Sequence, residues 1–371
     1  MTTGLEALRD RILDDLALQE ALDVDDVEAF AARAARTAPG LDADQIRDAA
    51  QAASVPPARR ATAPPGWLPA QVLQEDGQPV AAWRRFGTRR LAEPFYGDDL
   101  AAAGFRPLNR LVALRTPLPG PDERPACVPD GLVFHMSRCG STLAARMLAA
   151  SPAHVVISEA APIESVLRLD LDDDAKVEAL RAMVSALGRP RAGETRLFLK
   201  LDCWQVRDQP LLRRAFPDTP WVFLYREPVE VLVSHLRRRG VQMIPALVPP
   251  ALLGLDSPGT PDADYCAQVL AALCEGAARH LAQGGGRLVN YRDLPQALFT
   301  TILPWFGVIP SQDELEAMRA ASGHDAKAPE KAFAPDGEAK RREADDALKA
   351  ICERRVGAVY RRLETMRAAQ A

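Results

Sequence analysis

The sequence predicts an α/β chain in which a parallel sheet flanked by helices follows an N-terminal, mostly helical region. Three observations predict it. From residue 131 onward, short apolar runs alternate with helix-length segments, the pattern of parallel strands joined by crossover helices. The first of those runs ends in a glycine-bearing turn that opens directly into a helical pattern. Before residue 55, apolar residues recur at helical spacing instead. The 371 residues are 47% apolar and 26% charged, ordinary globular usage that excludes a mainly disordered, collagen-like or coiled-coil chain.

In chain order, Leu5, Leu8, Ile12, Leu13 and Leu16 mark amphipathic helices broken at Pro39-Gly40. The prolines at 56–57 and 64–65, with Gly66, read as a linker, because adjacent prolines cannot continue a helix. The stretch 67–130 is mixed, with Pro79 to Trp83 as a candidate strand. The strands expected next are Leu132 to Met136, Val155 to Ile157, Leu197 to Leu199, Trp221 to Tyr225 and Leu288 to Asn290. Helices are expected near 142–150, 161–187, 204–215, 228–239 and 262–283, the last opened by an Asp262 cap and stopped by Gly284-Gly285-Gly286. Ser311 and Glu314 form the spacing of a capping box, and a charged helix over about 338–367 closes the pattern. The acidic run at Asp170, Asp172, Asp173 and Asp174 reads as a solvated turn.

The charge balance, 46 basic against 50 acidic residues for a net −4, recruits neither nucleic acid nor an anionic membrane surface, so any anion site is local. The first fifteen residues mix acids and bases, and no run of about 18 apolar residues occurs, so a cytoplasmic protein is expected. Six scattered cysteines (Cys127, Cys139, Cys203, Cys266, Cys274, Cys352) and five scattered histidines spell neither a disulfide framework nor a zinc site. Of the 46 basic residues only six are lysine, which leaves forty arginines and points to a GC-rich bacterial genome.

Two segments carry chemistry. Ser137-Arg138-Cys139-Gly140-Ser141-Thr142 runs from a strand through a tight turn into a helix. Such a turn aims backbone N–H groups and the positive end of the helix dipole at one spot, which makes a phosphate cradle. It lacks the lysine that a nucleoside triphosphatase loop carries after its second glycine. Farther on, Trp221 to Tyr225 delivers Arg226 to a strand end, Pro228 suits a first helical turn, and Ser234 lies about two turns into the helix. A strand-end arginine is as readily paired with an acidic neighbour as with a ligand.

In order and spacing the two segments resemble the sulfotransferase superfamily, over about residues 130–310. There a loop of the form P-[KR]-S-G-[ST]-[ST]-L binds the 5′-phosphosulfate of 3′-phosphoadenosine 5′-phosphosulfate. A later arginine and a serine eight positions apart bind its 3′-phosphate. Arg226 and Ser234 have that separation, and Tyr291-Arg292-Asp293-Leu294 is similar to a further family turn; Ser137 replaces the usual proline and Cys139 the usual serine. The resemblance implies that Ser137, Arg138, Cys139, Gly140, Ser141 and Thr142 cradle the phosphosulfate, with Arg138 beside the transferred group. It implies in-line sulfuryl transfer to a hydroxyl or amine of a small-molecule or peptide acceptor, with no metal.

The acceptor needs a base, and two carboxylates qualify. Asp202 stands where one branch of the family carries a catalytic histidine, with Lys200 beneath it; Glu159 follows the second strand, near where other branches carry a glutamate. His135 reads as a buried strand residue. Lys327, Lys331 and Lys340 lie where the family folds a basic lid over the donor, so Lys327 and Lys331 are expected to touch it. Arg237, Arg238 and Arg239 read as surface charge favoured by the helix dipole. The expected organisation is a helical region at 1–55, a linker and mixed α/β region at 56–120, and a sulfotransferase-like domain with lid and final helix at 121–371. The N-terminal part is expected to shape the acceptor site or bind a partner. A kinase using ATP on the same scaffold competes, although ATP has no 3′-phosphate for Arg226 and Ser234. A non-catalytic nucleotide-binding module is a third reading.

Overall fold

A computed structural model describes residues 2–52, 55–119, 127–257, 259–260, 262–324 and 336–370. Among them the chain divides into two compact units, one of residues 1–127 with 160–194, the other of 128–159 with 195–371. The division differs from a cut at residue 120, because the helices between the second and third strands of the parallel sheet, 160–194, cluster with the N-terminal unit.

The first unit opens with helices α1 (Thr2–Asp14), α2 (Leu16–Ala21), α3 (Val27–Ala35) and α4 (Ala43–Gln51). Asp15, Asp26 and Asp42 cap the last three through side-chain oxygens that accept first-turn N–H groups. Leu8, Ile12 and Leu13 are buried as their spacing predicts, whereas Leu16 begins a new helix and is exposed. A four-stranded sheet follows: β1 (Pro57–Arg59), β2 (Trp67–Glu75), β3 (Gln78–Arg85) and, after α5 (Tyr96–Gly104) and α6 (Pro107–Leu111), β4 (Ala113–Pro117). Its order is β1-β4-β3-β2, with β1 parallel to β4 and the other pairs antiparallel. The linker expected at 56–66 is therefore partly a strand: its prolines exclude a helix, but at an edge a strand tolerates the missing N–H. Trp67 and Trp83 anchor the core, their indole N–H groups donating to Gln19 at 2.9 Å and Thr116 at 2.8 Å.

The 161–187 segment is two helices, α8 (Ala161–Leu167) and α9 (Asp173–Leu187). Asp172 explains the break, since its carboxylate accepts Ala175 N–H at 2.8 Å and caps α9, with Asp173 and Asp174 favourably placed in the first turn. The acidic run is thus a helix start rather than a solvated turn.

The second unit holds a five-stranded, all-parallel sheet of β5 (Gly131–His135), β6 (His154–Ser158), β7 (Arg196–Lys200), β8 (Trp221–Tyr225) and β9 (Gly286–Asn290), in the order β6-β7-β5-β8-β9. Every residue of β5 and β8 is buried, as strands covered on both faces require. The helices are α7 (Ser141–Ala149), α10 (Gln209–Ala215), α11 (Pro228–Arg237), α12 (Pro250–Leu253), α13 (Ala263–Leu281), α14 (Leu303–Trp305), α15 (Gln312–Ser322), α16 (Gly337–Glu343), α17 (Asp346–Cys352) and α18 (Ala358–Ala368). Asp262 caps α13 and Ser311 with Glu314 forms the expected box on α15. The single helix expected over 338–367 is broken once, at Ala344, where Asp345 caps a new start; from there α17 runs into α18 through a wider π turn at Glu353–Gly357. Strand succession reverses beside β5, which leaves a crevice at the carboxyl ends of β5, β7 and β8, where open α/β sheets bind ligands.

Candidate active site

Both expected segments reach that crevice, because β5 and β8 are adjacent and parallel, with His135 in register with Leu224. After β5 the backbone turns through left-handed values at Ser137 (φ 74°), Arg138 (φ 49°) and Gly140 (φ 83°). Such a run of conformations curls N–H groups toward one concavity. Gly140 is the N-cap of α7 and offers no side-chain acceptor to its first turn. A Cβ at Gly140 would stand 2.7 Å from Cδ2 of Tyr291, so both conformation and space demand glycine. Ser141 and Thr142 are buried in the first turn. Together these features fit a phosphate or sulfate group at the N-terminus of α7.

Two loop residues depart from the roles expected of them. Ser137 N–H donates to Nδ1 of His135 at 3.0 Å and its hydroxyl accepts from Gln242 Nε2 at 2.9 Å, so Ser137 shapes the turn. Cys139 points into the core and its thiol donates to Leu224 O at 3.1 Å; burial pushes that thiol up to about 11. Only the backbone of Cys139 is left for a ligand. Arg138 is anchored by a 3.0 Å bond from Nη2 to the carbonyl of Arg238. Burial, then the nearby Arg238, lowers its pKa, while Glu159 opposes the shift. That coupling sets Arg138 and Glu159 in one electrostatic neighbourhood.

Beside the loop lies a buried cluster. Lys200, 1% exposed at the end of β7, pairs with Oε1 of Glu159, which also stands 3.3 Å from Nε2 of His135. Since His135 Nδ1 accepts from Ser137 N–H, the imidazole proton belongs on Nε2, facing the carboxylate. Burial raises the Glu159 pKa, but the Lys200 ammonium and His135 outweigh it and hold the carboxyl well below the usual range. Burial and the same ammonium lower His135, keeping it neutral. Glu159 itself sits at φ 53°, a strained value for a side-chain-bearing residue. Asp202 instead caps the short helical turn Cys203–Asp208 in a box with Gln205, whose Oε1 accepts Asp202 N–H at 2.9 Å.

Arg226 is buried at the end of β8, its guanidinium 4.0 Å from the ring centroid of Tyr291. The open clamp expected of Arg226 and Ser234 is closed by carboxylates: Nε donates to Glu230 at 2.6 Å and Nη2 to Asp336 at 2.7 Å. A buried guanidinium must be paired, and Glu230 at i+4 on α11 is within reach. Ser234 is half-buried one turn farther along α11. Lys327 and Lys331 lie outside the described residues. Of the arginine triplet, Arg237 pairs with Glu343, Arg238 lends its carbonyl to Arg138, and Arg239 reaches Cys266 Sγ at 3.2 Å, so the run is not simply solvated charge.

Sequence reasoning placed Tyr291 in a family-like turn without a role, whereas it touches both the loop glycine and Arg226, and it missed His135 as a partner of Glu159. The histidine preceding a strand-end turn was the available signal. A cavity of about 490 Å³ in this unit is lined by Arg287, Arg292 and Arg367 beside β9, and no residue of the loop 136–142 lines it. Among the described residues, no cluster of His, Cys, Asp or Glu is placed to hold a metal ion, and no helix is long and apolar enough to cross a membrane.

No family model and no curated protein matches the chain. The solved structures it is similar to include sulfotransferases. One from Alicyclobacillus acidocaldarius is 14% identical, with 65% of this chain and 96% of that one covered at a TM-score of 0.40. The sulfotransferase domain of the Synechococcus PCC 7002 olefin synthase is 16% identical, covering 66% and 96% at 0.37. The sulfotransferase domain of the curacin biosynthetic pathway is 20% identical, covering 52% and 78% at 0.36. At these identities and TM-scores the likeness says nothing of this chain's activity or substrate.

Proposed function

We propose that this chain is a sulfotransferase that moves a sulfuryl group from 3′-phosphoadenosine 5′-phosphosulfate to a hydroxyl or amine. The observation that carries the reading is the turn between β5 and α7, whose left-handed residues and glycine cap form an anion cradle at the switch point of a parallel sheet. The fit to the donor lies in two anion-binding places joined by Tyr291, the cradle and the guanidinium of Arg226. The donor supplies an activated sulfuryl group when bound. First-turn N–H groups of α7 orient the 5′ end, and Arg138 meets negative charge that grows on the bridging oxygen. Glu159 takes the acceptor's proton. Its low basicity suffices because an acceptor oxygen becomes strongly acidic as it bonds to sulfur, so the proton leaves late. Lys200 and His135 hold the carboxylate in place, and Asp202 serves the fold.

The test is calorimetric titration with adenosine 3′,5′-bisphosphate, AMP and ATP. The bisphosphate is expected to bind at least about tenfold more tightly than AMP, one charge-assisted hydrogen bond's worth. Equal affinities, or tight magnesium-dependent ATP binding, sink the reading and favour the kinase.

A further inference from the structure

The carboxylate of Asp336 bridges two buried cations. Its Oδ1 lies 2.7 Å from Nη2 of Arg226 and its Oδ2 lies 2.6 Å from Nζ of Lys340. The side chains of Arg226 and Lys340 are 5% and 7% exposed, whereas that of Asp336 is 45% exposed. A solvent-facing carboxylate therefore occupies the mouth of a buried cationic seat. Behind it, Glu230 is 4% exposed and bound by both Arg226 and Arg341, so it is fixed in the wall of the seat. Three cations, Arg226, Lys340 and Arg341, meet three carboxylates there, Glu230, Asp336 and the neighbouring Glu227, so positive charge is in excess only when Asp336 withdraws. Two oxygens held by two cations is also how a phosphate sits between an arginine and a lysine.

We propose that Asp336 is an internal competitor for the anion bound at Arg226, a resident carboxylate that the donor's 3′-phosphate displaces. The inference rests on the donor reading above. Asp336 need not leave altogether: it keeps Lys340 as a partner while Arg226 changes from carboxylate to phosphate. The competition lowers affinity for every ligand that reaches the seat and leaves ligands without a 3′-phosphate unaffected, so Asp336 sets how strongly the site discriminates between the two.

The test titrates adenosine 3′,5′-bisphosphate and AMP into the full chain and into Asp336→Asn. Asparagine is close in size, and the Asp336 side chain makes no capping hydrogen bond to α16, so the helix start survives the change. The variant is expected to bind the bisphosphate about tenfold more tightly, with AMP changed less than about twofold. Thermal melting gives a second readout. The variant melts lower alone, having lost a partner of two buried cations, and saturating bisphosphate raises its Tm by more than it raises the wild type's. If the wild type prefers the bisphosphate over AMP but the variant binds it equally or more weakly, Asp336 only props Arg226. The inference then falls while the donor reading stands. A preference for the bisphosphate in neither protein overturns both.

Discussion

Nε2 of His135 lies 3.3 Å from Oε1 of Glu159, and Nδ1 of the same ring accepts the Ser137 N–H at 3.0 Å. One imidazole thus ties the proposed proton acceptor to the backbone of the turn between β5 and α7. The same carboxylate oxygen makes a buried ion pair with Lys200, so one oxygen of Glu159 is held from two sides.

Glu159→Gln is expected to lower turnover by about 10²–10⁴-fold, because the amide cannot accept a proton. Asp202→Asn is expected to leave turnover near normal, since asparagine also caps. Steady-state kinetics at saturating donor separate the two; a deficit at Asp202 with a normal Glu159 variant reverses the assignment.

The same Glu159 variant leaves Lys200 buried without its carboxylate, a loss of about 3–5 kcal/mol. A depressed carboxylate stabilises the fold above its unfolded-state value and loses that contribution as pH falls through the folded-state value. Urea unfolding is therefore expected to show the wild-type advantage over Glu159→Gln in full at neutral pH and shrinking below about pH 4.

Arg138→Ala is expected to cut turnover while changing affinity for adenosine 3′,5′-bisphosphate only modestly, because the charge it meets grows in the transition state. Equal losses in product affinity and turnover place Arg138 in ground-state binding instead.

Gly140→Ala places a Cβ 2.7 Å from the Tyr291 ring at φ 83°. The strain is on the order of 1–3 kcal/mol and falls on the turn itself. The variant is expected to melt lower and to bind both AMP and the bisphosphate more weakly, which paired melting and calorimetry check.

In the N-terminal unit, burial raises Asp99 to about 6, against backbone bonds from Ala92 and Glu93 N–H at 3.0 and 3.2 Å. The folded chain then holds a proton that the unfolded chain releases near pH 4, so this group's contribution to stability falls as pH rises from about 4 to about 6. Asp99→Asn keeps an acceptor for both N–H groups. Urea midpoints across that window are expected to fall less for the variant than for the wild type.

The parallel sheet was legible because each of its strands is a short apolar run bounded by turn residues, and Trp221–Tyr225 coincides with its expected bounds. The turn after β5 was legible too, since Gly140 stands between a strand pattern and a helix pattern. What the sequence by itself determined is local: strand and helix periods, the caps at Asp262 and Ser311, and the glycine-bearing turn between β5 and α7. Tertiary structure alone decided the partners of buried charge. Glu159 reaches Lys200 across 41 residues and Arg226 reaches Asp336 across 110. No spacing rule encodes such pairs, because they are chosen by which side chains the packed sheet brings within a few ångströms at low dielectric, where an unpaired charge is too costly to remain.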